Sequence, residues 1–129
     1  MYRIVLVSSK PAFFSALAQA LQTDTGMSVE WVASGEEALT SIKRAAPDLM
    51  ILDEKSEETP DFALARNIIL HDALINVVMV SRLPEKEFHE SAEGLGILLQ
   101  LPPQPGPREV ETLLARLTLH TGSNENGGR

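Results

Sequence analysis

Pro47-Asp48-Leu49-Met50-Ile51-Leu52-Asp53 is the stretch on which the fold turns. Its apolar run is too short for a helix, and it ends on a carboxylate. A continuous apolar run of this length is the pattern of a strand covered on both faces, as in parallel sheets. Such a strand delivers its last residue, Asp53, to the carboxyl edge of the sheet.

Working outward, the same alternation repeats on both sides. Upstream, Leu39, Ile42 and Ala46 form the apolar face of a helix that Pro47 stops. Its start is Ser34-Gly35-Glu36-Glu37, a capping box in which Ser34 and Glu37 can each satisfy an orphan amide. Before it, Ser28 to Ala33 reads as a strand. Pro11 to Gln22 reads as a helix with Phe14, Leu17 and Leu21 on one face, and Tyr2 to Val7 as the first strand. Downstream, Thr59 can cap a helix with Pro60 at its first position. Phe62, Ala65, Ile68 and Ile69 supply its stripe. Val77 to Val80 is a fourth strand and Ile97 to Leu101 a fifth. Between them Glu85 to Glu93 has only Phe88 and Ala92 on a shared face, a narrow stripe for a packed helix. Val110, Leu113, Leu114 and Leu117 pattern the last helix at i, i+3, i+4 and i+7. Residues 120–129 are polar and Gly-rich and are expected to be a disordered tail.

Five strand-helix alternations imply an α/β fold with a doubly wound five-stranded parallel sheet. The expected arrangement is flavodoxin-like, a three-layer α/β/α sandwich over residues 1–119. Ligands of such folds sit beyond the carboxyl ends of the strands. Those ends are Ser8 and Ser9, Ser34, Asp53, Ser81 and Arg82, and Leu101 and Pro102.

The bulk composition narrows the function classes. The 129 residues fit one domain able to bury a core. A formal net charge of -7 argues against nonspecific binding to nucleic acid or to an anionic membrane surface. With no cysteine there is neither a disulfide nor thiolate chemistry. The opening run Arg3 to Val7 is too short for a signal h-region or a membrane span, so a cytoplasmic protein is expected.

The order and spacing of these elements resemble the receiver domain of bacterial two-component response regulators. Ser34-Gly35-Glu36-Glu37-Ala38-Leu39, followed by Pro47-Asp48-Leu49 to Asp53, carries the resemblance most specifically. It implies that Asp53 stands at the position of the phosphoacceptor, which becomes an aspartyl phosphate. It implies that Ser81 stands at the position of the switch hydroxyl that holds the phosphoryl oxygens. It also implies a cis bond before Pro102, where the family has a Lys-Pro pair.

Several positions depart from the family's pattern. The two acids that hold Mg²⁺ after the first strand are replaced by Ser8 and Ser9. The lysine before the proline is replaced by Leu101. Leu98 stands at the position of the aromatic switch residue, and Arg82 where a small residue is usual. Phosphoryl transfer to a carboxylate brings two anions together, so the site must supply positive charge. Mg²⁺ takes hard, mostly anionic oxygens, which two serine hydroxyls do not replace. The expectation is a pseudo-receiver that acts mainly as a protein-interaction module, with no metal and no cofactor.

The individual residues also have plainer readings. Asp53 reads as a slow phosphoacceptor, as a relic paired with a nearby cation, or as a solvated strand-end acid. The second is preferred, with Lys10 or Arg82 as the cation and Arg82 favoured for its planar fork. Ser8 and Ser9 read as caps of the first helix, and Trp31 as a packing residue. The acidic run Glu54 to Glu58 reads as a solvated loop, and His71, His89 and His120 as surface residues. The expected partner is a protein: a kinase, an effector, or a second copy of the chain in a homodimer. The main rival is a receiver that still accepts a phosphoryl group at Asp53. A flavodoxin-like cofactor binder is disfavoured, because Lys10-Pro11 after Ser8-Ser9 leaves no phosphate-cradling loop.

Overall fold

The computed structural model describes residues 3–10, 14–25, 27–53, 63–72, 74–102 and 105–117. Their elements alternate without exception: β1 (Arg3–Val7), α1 (Ser15–Thr25), β2 (Ser28–Val32), α2 (Gly35–Arg44), β3 (Leu49–Asp53), α3 (Ala63–His71), β4 (Asn76–Val80), α4 (Glu85–Ala92), β5 (Leu99–Leu101) and α5 (Pro107–Leu117). All strand pairs are parallel, and the sheet order is β2-β1-β3-β4-β5. β3 is therefore central, which is why every residue from Leu49 to Asp53 is buried.

The side-chain period of two divides each strand between two cores. Ile4, Leu6, Leu49, Ile51, Val78, Val80 and Leu101 face α1 and α5, where they meet Phe14, Leu17, Leu21, Val110 and Leu113. Val5, Val7, Met50, Leu52, Val77 and Met79 face α2, α3 and α4, where they meet Ala38, Ile42, Leu64, Ile68 and Phe88. The three layers expected of the alternation are present. On α4 the buried residues are Phe88 and Ala92, the narrow stripe read from the sequence.

Some boundaries and one peptide bond differ from expectation. The described part of α1 begins at Ser15 and runs past Gln22 to Thr25. β2 stops at Val32, because the Ala33 N–H turns to the Glu37 carboxylate at 2.6 Å. Glu37 donates its own N–H to Ser34 Oγ at 3.2 Å, so the capping pair forms with its return bond one residue further back than the usual box. β5 is only Leu99–Leu101, although the Leu98 N–H still donates to the Val77 carbonyl at 2.8 Å. The Leu101–Pro102 bond is trans and not the expected cis; trans is the form an X-Pro bond favours by about 0.5–1 kcal/mol.

Trp31 is a further correction. It is 41% exposed, because β2 is an edge strand and one of its flanks has no neighbour in the sheet. His71 and His89 lie on the surface as expected. Thr59, Pro60, Phe62, the run Glu54 to Glu58, His120 and the tail lie outside the described residues.

At the amino end of the sheet, Arg3 gathers β1, β2 and α2 into one polar knot. Its Nη2 donates to Glu30 Oε1 at 2.7 Å and to Ser41 Oγ at 3.0 Å. Its Nη1 donates to the Ala45 carbonyl, and its backbone N–H to Asp48 Oδ2 at 2.7 Å. Arg44 approaches the other oxygen of Glu30 at 3.3 Å. The knot ties the end of α2 to the sheet at the opposite edge from Asp53.

Candidate functional site at the carboxyl edge

Three buried polar side chains meet at the carboxyl edge: Ser8 is 1%, Asp53 4% and Ser81 2% exposed. β1 and β3 are neighbours with Val7 opposite Leu52, so Ser8 and Asp53 stand side by side at the next step. They also share strand parity, and both side chains fall on the α1 and α5 face. The Ser8 hydroxyl donates to Asp53 Oδ2 at 3.1 Å. Ser8 Oγ in turn accepts the Lys10 N–H at 3.0 Å, which closes a short serine turn at the end of β1.

Residues 11–13 lie outside the described residues, and the reading of Ser8 and Ser9 as caps of α1 falls there. Ser8 serves the strand end and Asp53, while Ser9 is exposed.

β4 brings Val80 opposite Asp53, and Ser81 follows it. Ser81 Oγ accepts the Leu83 N–H at 3.1 Å, and the Ser81 N–H donates to the Leu101 carbonyl at 3.1 Å. Leu101 itself is 1% exposed and belongs to the apolar core of the α1 and α5 face. Lys10 and Arg82 are exposed on the loops that leave β1 and β4 at this same edge. Ser8, Asp53, Ser81 and Leu101, with Lys10 and Arg82 on the adjoining loops, thus converge on one edge of the sheet, while Leu98 lies before β5.

One polar residue of this region escaped the sequence reading. Gln100 donates through Nε2 to the Leu83 carbonyl at 2.8 Å and to the Ser81 carbonyl at 3.4 Å. The available signal was its place as the sole polar residue in Ile97-Leu98-Leu99-Gln100-Leu101.

The described residues contain no cluster of three or more His, Cys, Asp or Glu able to hold a metal ion. No helix among them is long and apolar enough to cross a membrane.

Comparison with known proteins agrees with this geometry. The chemotaxis response regulator CheY4 of Vibrio cholerae superposes with a TM-score of 0.78 at 21% identity, over 90% of this chain and 98% of that one. A CheY-like response regulator receiver domain protein from Methanospirillum hungatei gives 0.77 at 20% identity, over 98% of both chains. NtrX from Brucella abortus gives 0.78 at 23% identity, over 98% of this chain and 29% of that one. These likenesses establish the CheY-like, flavodoxin-type α/β fold. A search of curated sequences finds no significant match. The family model of the response regulator receiver domain matches residues 4–110, most of the ordered elements and the whole carboxyl edge. The chain belongs to the response regulator receiver domain family.

Proposed function

We propose that this receiver domain signals by binding a protein partner, with little or no Mg²⁺-dependent phosphorylation at Asp53. The observation that carries the reading is the pairing of Asp53 with a buried hydroxyl at the place where the family's pattern has an acid. Ser8 donates a hydrogen bond to Asp53 at 3.1 Å, where a metal would need an anionic oxygen. Leu101, sunk in the apolar core, can donate nothing to a phosphoryl group. Loss of a lysine there removes a charge-assisted bond worth about 1.5–3 kcal/mol.

The donor set around Asp53 therefore does not fit Mg²⁺. Among the described residues it offers one carboxylate and neutral hydroxyls, whereas Mg²⁺ gives up its waters reluctantly and only to well-placed hard oxygens. Asp53 acts instead as a structural acid that ties β1 to β3. Arg82, ahead of Lys10, is the cation we assign to its outer side, where its fork would also stand in the path of a phosphodonor.

The partner face consists of α4, β5 and α5. Between α4 and β5 lies a cleft of about 550 Å³ lined in part by Phe88, Ala92, Leu98, Leu99 and Arg116. That size lies within the range of pockets that accept a side chain or small ligand. The domain is a signalling module and not an enzyme in this reading.

Isothermal titration with Mg²⁺ tests the metal half of the proposal. No measurable heat of binding is expected at millimolar Mg²⁺. Submillimolar affinity that disappears in Asp53→Ala would overturn it and favour the rival reading, a receiver that still accepts a phosphoryl group.

A further inference from the structure

β5 breaks its apolar run at Gln100. The alternation that turns Leu101 toward α1 and α5 turns Gln100 to the other face, opposite Met79 and beside α4. There its side-chain amide reaches the corner between β4 and α4. A primary amide carries two N–H donors. One carbonyl of the corner, on Leu83, lies 2.8 Å from Nε2, and a second, on Ser81, lies 3.4 Å away.

The same corner is closed from within. The Leu83 N–H donates to Ser81 Oγ at 3.1 Å, so the Ser81 hydroxyl and the Gln100 amide grip the same short segment from two sides. The Ser81 N–H adds a bond to the Leu101 carbonyl at 3.1 Å. Pro84 follows at once, and its carbonyl accepts the Phe88 N–H at 2.9 Å in the first turn of α4. The corner therefore connects the buried Ser81, one step past the neighbour of Asp53, to the one helix of the α2, α3 and α4 face that is held by a narrow stripe.

We propose that Gln100 is a positioning residue: its amide holds the Ser81–Leu83 corner in the conformation that engages the Ser81 hydroxyl, and so links the Asp53 edge to the α4 face. Gln100 also lines the cleft between α4 and β5. A cleft occupant that presents a carbonyl or carboxylate competes for the same two donors. Drawing the amide away releases the Ser81 and Leu83 carbonyls together and loosens the start of α4. Only the signalling use of this link rests on the function proposed above; the positioning does not.

The test is amide hydrogen exchange, followed by NMR on the whole chain, for wild type, Gln100→Ala and Gln100→Glu. Gln100→Glu keeps the length of the side chain but replaces the donors with a carboxylate facing two carbonyls. Exchange at Leu83 is expected to rise about tenfold in Gln100→Ala, the loss of roughly one net hydrogen bond. It should rise further in Gln100→Glu, with Phe88 following, while Ile51 in β3 keeps its wild-type rate. Unchanged exchange at Leu83 overturns the proposal. So does an equal rise at Leu83 and Ile51, which marks a general loss of stability. Should Gln100→Glu not fold, Gln100→Ala decides alone. Phosphorylation of Asp53 would defeat the functional reading and leave this result unaffected.

Discussion

Replacing Ser8 with Asp is expected to destabilise the metal-free protein by about 1–3 kcal/mol. The substitution removes a donated hydrogen bond at 3.1 Å and puts a second carboxylate against Asp53 at a site only 1% exposed. Like charges this close and this buried cannot both be ionised cheaply. The same change supplies the anionic oxygen that a hard cation needs. Adding Ser9→Asp should complete the acid pair on a residue that is already exposed, at little further cost. The double variant should therefore be less stable than wild type in chelator and regain stability as Mg²⁺ is added. At about a hundredfold excess over the dissociation constant the gain is about 2.7 kcal/mol. Urea denaturation with and without Mg²⁺ measures both effects. A metal-free Ser8→Asp as stable as wild type would mean that Ser8 and Asp53 are not coupled. A wild type that gains as much from Mg²⁺ as the variant would mean that the native edge already binds the metal.

The second large effect lies at the opposite edge. Arg3→Met keeps the aliphatic stem but loses the bonds to Glu30, Ser41 and the Ala45 carbonyl. Arg3 and Glu30 are about a quarter and a third exposed, so the pair is shielded enough to matter without being fully desolvated. Glu30 keeps Arg44 as a longer-range partner at 3.3 Å, which limits the damage. The expected loss is about 1.5–3 kcal/mol, above the level of an ordinary surface ion pair. The backbone bond from Arg3 N–H to Asp48 survives in the variant, so the register of β1 against β3 should not change. Urea denaturation with an unchanged slope and a lower midpoint is the expected signature. A loss below about 0.5 kcal/mol would place Arg3 among the ordinary surface pairs.

The topology was legible because β1, β3 and β4 are buried apolar runs and most helices carry a clear stripe. Leu49 to Asp53 announces a central strand by having no polar face at all, and it is central. The Ser34 and Glu37 cap is a local motif and was read directly. What escaped depends on contacts between residues far apart in the chain. Arg3 meets Glu30 27 residues away and Ser41 38 residues away, so no local pattern signals the knot. The bond between Ser8 and Asp53 spans 45 residues and becomes visible only when β1 and β3 are set side by side with matching parity. Gln100 left a signal in its own strand, but its targets at Ser81 and Leu83 belong to the loop that leaves the neighbouring strand. Trp31 misled because an aromatic residue in a strand suits a core, whereas β2 turned out to lie at the sheet edge. The short β5 was overestimated because Ile97 and Leu98 continue its apolar run, whereas the paired residues begin at Leu99 and Leu98 adds only one bond, to the Val77 carbonyl.

In the proposed function, Asp53 sits in an edge that holds a partner-binding state and does not take a phosphoryl group. Intact-mass measurement after incubation with a small phosphodonor such as acetyl phosphate and Mg²⁺ tests it most directly. Three proteins are compared: wild type, the triple variant Ser8→Asp, Ser9→Asp, Leu101→Lys, and wild type carrying Asp53→Asn. No added phosphoryl mass is expected on wild type or Asp53→Asn, and a phosphoryl adduct is expected on the triple variant. A phosphoryl adduct on wild type that is absent from Asp53→Asn would contradict it.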